Sequence, residues 1–123
     1  MIKGNKIPFI DENSNMKNAL KTLTKKNLGV LIVRNRNKKT IGVITDGDLK
    51  RAIEKNHEIK NINLKKIMTK NPISIDQNEL AVEALSLMTS KKKITSLCVY
   101  KNRKKNRTVG LIHIHNILNA NIS

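Results

Sequence analysis

The chain repeats itself. Asp11 to Leu20 reads DENSNMKNAL and Asp76 to Leu85 reads DQNELAVEAL. In each, an acidic or amide cluster precedes a segment of helical period with Ala-Leu at the same place. Further on, Thr40-Ile41-Gly42-Val43-Ile44 matches Thr108-Val109-Gly110-Leu111-Ile112. The offset grows from 65 residues at the first pair of blocks to 68 at the second, so the second copy has about three extra residues in its loops. A repeat of this kind constrains the fold more than any other feature, because the chain must be two copies of one unit. Copies of roughly 55 to 60 residues are too small to bury both faces of a sheet alone. They are expected at residues 1–57 and 67–123, joined by a linker at 58–66, and packed sheet to sheet with pseudo-two-fold symmetry.

Each copy reads as β-α-β-β-α, an α+β fold class. In the first, residues 7–10 are extended, and Ser14 or Asn15 caps a helix with Met16, Ala19, Leu20 and Leu23 on one face. Gly29 follows as the expected left-handed C-cap. Val30-Leu31-Ile32-Val33 is too short for a helix and too apolar for a surface, so it predicts a buried strand. A polar turn at 34–39 leads to a strand at 41–44, and Thr45 or Asp46 opens a helix with Leu49, Ala52 and Ile53 inward. The second copy repeats the order, with strands at 73–75, 97–100 and 109–112 and helices at 79–91 and 115–120.

Composition limits what the copies can do. Apolar residues make up 38% of the 123 residues and include one Tyr, one Phe and no Trp, so the core is aliphatic and base-stacking rings are nearly absent. The net charge of +16 attracts anions. Most of the Lys is scattered, as a solvated face requires, with runs at Lys38-Lys39, Lys65-Lys66, Lys91-Lys92-Lys93 and Lys104-Lys105. The single cysteine, Cys98, sits in an apolar run and excludes an intrachain disulfide, which fits a reducing compartment. No apolar stretch reaches the roughly 18 residues of a membrane span. Residues 1–6 lack the apolar run of a secretory signal, and a cytoplasmic location is expected.

The repeat order, with Gly42-Val43-Ile44-Thr45-Asp46-Gly47-Asp48 closing the strand pair of the first copy, resembles the CBS module, and two copies resemble a Bateman-type pair. Several segments resemble the C-terminal CBS pair of bacterial arabinose-5-phosphate isomerases: Gly4-Asn5-Lys6-Ile7-Pro8, Thr45 to Ala52, Glu54-Lys55-Asn56-His57, Ile67 to Pro72, and Gly110-Leu111-Ile112-His113-Ile114-His115. In that family a sugar isomerase domain precedes the pair and supplies the precursor of Kdo for lipopolysaccharide. No part of this chain resembles that domain, so the chain itself is not expected to be an enzyme. The resemblance implies a regulatory ligand, with CMP-Kdo favoured as the activated end product and AMP or ATP as the general alternative. It implies no required cofactor.

Thr45 and Asp48 stand where a strand end meets a helix start, where free N–H groups and a positive helix dipole favour a phosphate. By resemblance, the Thr touches phosphate or ribose and the Asp binds the ribose hydroxyls. The competing reading is that both only cap the helix. Lys50 and Arg51 follow, either to neutralise an anion or to solvate the helix face. In the second copy His113 replaces the Thr and Asn116 the Asp, so the halves are not expected to be equivalent. His113 and His115 alternate around Ile114 and offer ligand contacts, helix-start chemistry or, lacking a third ligand nearby, a poor metal pair. Lys70 and Asn71, with Thr95 and Ser96, are by resemblance the remaining cleft walls; ordinary turn chemistry explains them equally.

Other function classes are weaker. Nucleic-acid binding would rest on charge alone, without aromatics or a recognisable binding motif, and is not the expected partner. Catalysis lacks a Ser-His-Asp order, a metal motif and a Gly-rich phosphate loop, and the imidazoles His57, His113 and His115 lack an evident acid partner. Assembly alone is a further reading: CBS pairs dimerise, and a homodimer with an isomerase domain in cis or trans is expected.

Overall fold

In the computed structural model the described residues are 1–56, 58–78, 83, 86, 88, 96–101 and 103–113. They form two compact units, Pro8–Pro72 and Met1–Ile7 with Ile73–Ser123. Each holds one four-stranded sheet.

The Pro8–Pro72 unit contains β2 (Phe9–Asp11), α1 (Met16–Lys26), β3 (Val30–Arg34), β4 (Thr40–Thr45), α2 (Asp46–Lys55), α3 (Leu64–Ile67) and β5 (Thr69–Lys70). Its sheet has the order β2-β3-β4-β5. β2 is parallel to β3, because α1 carries the chain across between them; β3 and β4 form an antiparallel hairpin with a bulge at Val33/Arg34. The apolar run 30–33 is buried throughout, as its lack of alternation predicts. Its core combines Ile10, Met16, Ala19, Leu31, Val33, Ile44, Leu49 and Ala52. At the sheet edge Arg34 lies 3.6 Å from the Phe9 ring centroid, a cation–π contact beside its ladder partner Asp11. Burial there lowers the Arg34 pKa, against the opposing pull of Asp11.

Asn15 is the cap of α1, its side chain accepting from Asn18 N at 2.8 Å. The left-handed C-cap is Asn27 (φ 55), not Gly29, because the helix closes with Asn27 N on Leu23 O and an Asn tolerates that conformation. Residues 58–66, expected as linker, form a 3₁₀ turn at Ile59–Asn61 and the start of α3, and they bury Ile62 and Leu64 in this core. Asn63 caps α3 through Lys65 N at 2.9 Å.

The other unit has β1 (Ile2–Lys3), β6 (Ser74–Asp76), β7 (Ser96–Tyr100) and β8 (Thr108–His113) in the order β1-β8-β7-β6. β6 is parallel to β7, and the β7–β8 hairpin again carries a bulge, at Val99/Tyr100. Glu83, Ser86 and Met88 are helical, and Met88 packs with Ile75, Leu97 and Val99. The rest of the expected helix at 79–91 and the expected helix at 115–120 lie outside the described residues.

The short strands β1 and β5 were not anticipated, and each joins the sheet of the repeat it does not precede in sequence. β5 pairs with β4, Gly42 opposite Lys70; β1 pairs with β8, Gly110 opposite Lys3. Both glycines exist for this approach. A Cβ on Gly42 would stand 2.6 Å from the Met68 sulfur and 2.8 Å from Thr69 O, and one on Gly110 would stand 2.6 Å from the Met1 sulfur. The expected insertion also resolves. The second hairpin's turn, closed by Tyr100–Thr108, is two residues longer than the first's, closed by Arg34–Thr40, and so holds two of the three extra residues.

Candidate functional site

The junction of β4 and α2 is built by a capping box. Thr45 has extended geometry at the N-cap; its Oγ1 accepts from Asp48 N at 3.1 Å, and Asp48 Oδ2 accepts from Thr45 N at 2.9 Å. Asp46 N donates to Gly29 O at 2.9 Å, tying the helix start to the beginning of β3, where Val30 pairs with Thr45. The capping reading of Thr45 and Asp48 is therefore realised.

Capping leaves both side chains with capacity. The Thr45 hydroxyl proton is still available to donate, and each Asp48 oxygen keeps a lone pair beyond the bond it accepts. Asp48 is also half of an ion pair: Arg51 Nη2 donates to Asp48 Oδ1 at 2.6 Å, with the carboxylate side chain only 18% exposed. Arg51 reaches back one turn to do this and lies over Gly47, where a Cβ would meet Arg51 Nη1 at 3.2 Å. A hydroxyl, a carboxylate and a guanidinium thus converge on the first turn of α2, next to the positive end of its dipole. Such a set has the chemistry to accept from hydroxyl donors through Asp48 and to donate to an anion through Thr45 and Arg51.

Lys50 does not join them. It pairs with Asp46 at 3.1 Å, and both side chains are largely exposed, so it reads as a solvated face. Lys70 sits on the same sheet, opposite Gly42, three positions or about 10 Å along β4 from Thr45, and Asn71 follows it in a bend. Lys70 thus belongs to the first repeat's sheet and not to the second, as the swapped β5 requires; Asn71 is exposed and left-handed (φ 53).

In the other unit Ser96 and His113 face each other across the ladder at the equivalent end of the hairpin. Ser96 Oγ is buried and has no hydrogen-bond partner among the described residues, a state that costs about 1–3 kcal/mol unless something fills it. Thr95, His115 and Asn116 lie outside the described residues, as does His57. No cluster of three His, Cys, Asp or Glu side chains with metal-holding geometry is found among the described residues. A shallow depression of about 580 Å³ on α1, lined by Lys17, Leu20, Lys21, Thr24 and Lys25, includes none of the predicted site residues.

Sequence reasoning missed Gly47 and Asp46. The signal was present: Asp46/Lys50 at i,i+4 and Asp48/Arg51 at i,i+3 are helical charge pairs, and they sort the two cations into one held by Asp46 and one held by the capping Asp48.

Two four-stranded sheets of matching order, each with a parallel pair followed by an antiparallel hairpin, define a tandem pair of small α+β modules. The sequence model of the CBS domain matches residues 1–55 and 64–123, and the chain belongs to the CBS domain family. It is 33% identical over 122 residues to the arabinose 5-phosphate isomerase KdsD of Escherichia coli K12, covering 99% of this chain and 36% of that protein. It is 37% identical over 123 residues to the uncharacterized protein RP505 of Rickettsia prowazekii, covering all of this chain and 37% of that one. The chain thus spans just over a third of these relatives. Among solved structures, the CBS-domain protein ATU1752 of Agrobacterium tumefaciens superposes with a TM-score of 0.80 at 21% identity, over 92% of this chain and 82% of that one. CBSX2 of Arabidopsis thaliana in complex with AMP gives 0.78 at 21%, over 99% and 92%. PAE2072 of Pyrobaculum aerophilum complexed with AMP gives 0.76 at 18%, over 88% and 80%. Among the described residues no helix is long and apolar enough to cross a membrane.

Proposed function

We propose that the chain is the regulatory ligand-binding pair of an arabinose-5-phosphate isomerase-like protein, that it senses a nucleotide or nucleotide sugar, and that it carries no chemistry of its own. The observation that carries this reading is the convergence of Thr45, Asp48 and Arg51 at the start of α2, where donors for a phosphate adjoin an acceptor for sugar hydroxyls. The family match and the KdsD similarity support it. CMP-Kdo is the favoured ligand, since an activated sugar end product would close a feedback loop on an enzyme of the KdsD kind. The second reading, an adenine nucleotide on a stand-alone pair, is favoured by the AMP complexes of two structural relatives. A cytoplasmic location and a homodimer, with a sugar isomerase domain in cis or trans, belong to the same proposal.

Isothermal titration of the chain with CMP-Kdo, CMP, AMP and ATP separates the readings. Saturable heat is expected with CMP-Kdo above the other three; a preference for AMP or ATP selects the second reading, and no heat with any ligand refutes sensing. Light scattering with and without the binding ligand tests the dimer.

A further inference from the structure

The β7–β8 hairpin carries a concentration of charge that the nucleotide reading does not use. Residues 101–107 read Lys-Asn-Arg-Lys-Lys-Asn-Arg, five cations in seven positions, and the two-residue insertion of the second repeat falls within them. Lys101, Arg103, Lys104, Lys105 and Arg107 are all exposed, and no salt bridge among the described residues involves them. Two consecutive turns, Lys104 N to Lys101 O at 3.1 Å and Arg107 N to Lys104 O at 2.9 Å, build the tip. Arg103 there is left-handed (φ 61), a conformation that Gly or Asn holds at less cost.

General Lys enrichment does not account for this. Residues 84–123 contain eight Lys and Arg and no Asp or Glu, although the other 83 residues hold all nine acids. Drift toward Lys and Asn raises cation number without removing acids. The first repeat's hairpin is basic too, with Arg36, Lys38 and Lys39 exposed in its turn; what sets the second apart is five cations in a stretch of chain that holds no acid.

We propose that this hairpin is a docking surface for a nucleic-acid duplex, contacted through its phosphates. The tip sequence has no apolar or aromatic residue to insert into a bilayer or to stack on single-stranded bases, which leaves phosphate contact by Lys and forked Arg side chains. Within its own unit, Ser96 and His113 close one end of the β7–β8 ladder and the tip lies at the other, four residue steps or about 13 Å away.

Fluorescence anisotropy with a mixed-sequence duplex of about twenty base pairs tests this, across about 50 to 200 mM salt. The comparison is between the unaltered chain, the variant K101Q/R103Q/K104Q/K105Q/R107Q, and a charge-matched control K17Q/K21Q/K25Q/K55Q/K66Q. Five phosphate contacts predict a slope of about −4.5 in log affinity against log salt, a several-hundred-fold loss over that range. The hairpin variant is expected to lose binding at least about 100-fold more than the control at low salt, while circular dichroism and AMP titration stay unchanged. Equal losses in the two variants, a flat salt dependence, or binding to vesicles of anionic lipid without binding to the duplex would each overturn the proposal.

Discussion

Single side chains in this protein are constrained by contacts that a sequence states only indirectly. Cys98 is buried on β7, and burial pushes its thiol pKa up to about 11, against a hydrogen bond with Thr108 that lowers it. A raised pKa means that the folded state holds the proton longer than the unfolded one. Its contribution is therefore complete below the unfolded value near 9 and is lost as pH rises from there to about 11, a decline on the order of 2–3 kcal/mol. Urea unfolding followed from pH 8 to 11 is expected to show it, and a C98A variant is expected to lack that slope. Glycine positions differ just as sharply. Gly42→Ala drives a Cβ into Met68 and the Thr69 carbonyl and is expected to cost about 1–3 kcal/mol. Gly47→Ala meets only the mobile end of Arg51 within a helix, where the gain in propensity of up to about 1 kcal/mol offsets the contact, so its unfolding midpoint should barely move.

At the scale of elements, the segment between the repeats distinguishes a tether from a structural part. Leu64 is 1% exposed and Ile62 7% exposed, and both belong to the core of the Pro8–Pro72 unit. Leu64→Ala is expected to destabilise by about 2–5 kcal/mol in thermal unfolding, as a buried core truncation does; a tether would tolerate it within about 0.5 kcal/mol. Periodicity found β3, β4, β7, β8, α1 and α2 because each carries a long run of core-facing residues. It did not find β1 and β5, because two residues cannot display a period of two. What marked them was the glycine on the facing strand, and its reason becomes visible only once a partner backbone lies against it. The N-caps were legible, since Thr45 and Asn15 follow from their chemistry, whereas the C-cap of α1 is Asn27, two residues before Gly29, which is left-handed as well (φ 72).

At the scale of the whole chain, the repeat was legible because an offset of 65 to 68 residues is a global property of the sequence, but the exchange of β1 and β5 between sheets was not. Of the candidate site, Thr45, Asp48 and Arg51 come together as their spacing on one helical turn implies. Lys50 turns to Asp46, and Lys70 and Asn71 follow the exchanged strand away from Thr45. That division defines the decisive measurement, isothermal titration of the unaltered chain and of T45A and D48N with whichever of CMP-Kdo, CMP, AMP and ATP binds. The account predicts a loss of affinity of about tenfold or more in each variant, for about 1.4 kcal/mol of lost contact, with T45A melting only as far below the parent as a lost cap of about 1 kcal/mol requires. Unchanged affinity in both variants would show Thr45 and Asp48 to be caps and nothing more, and would contradict it.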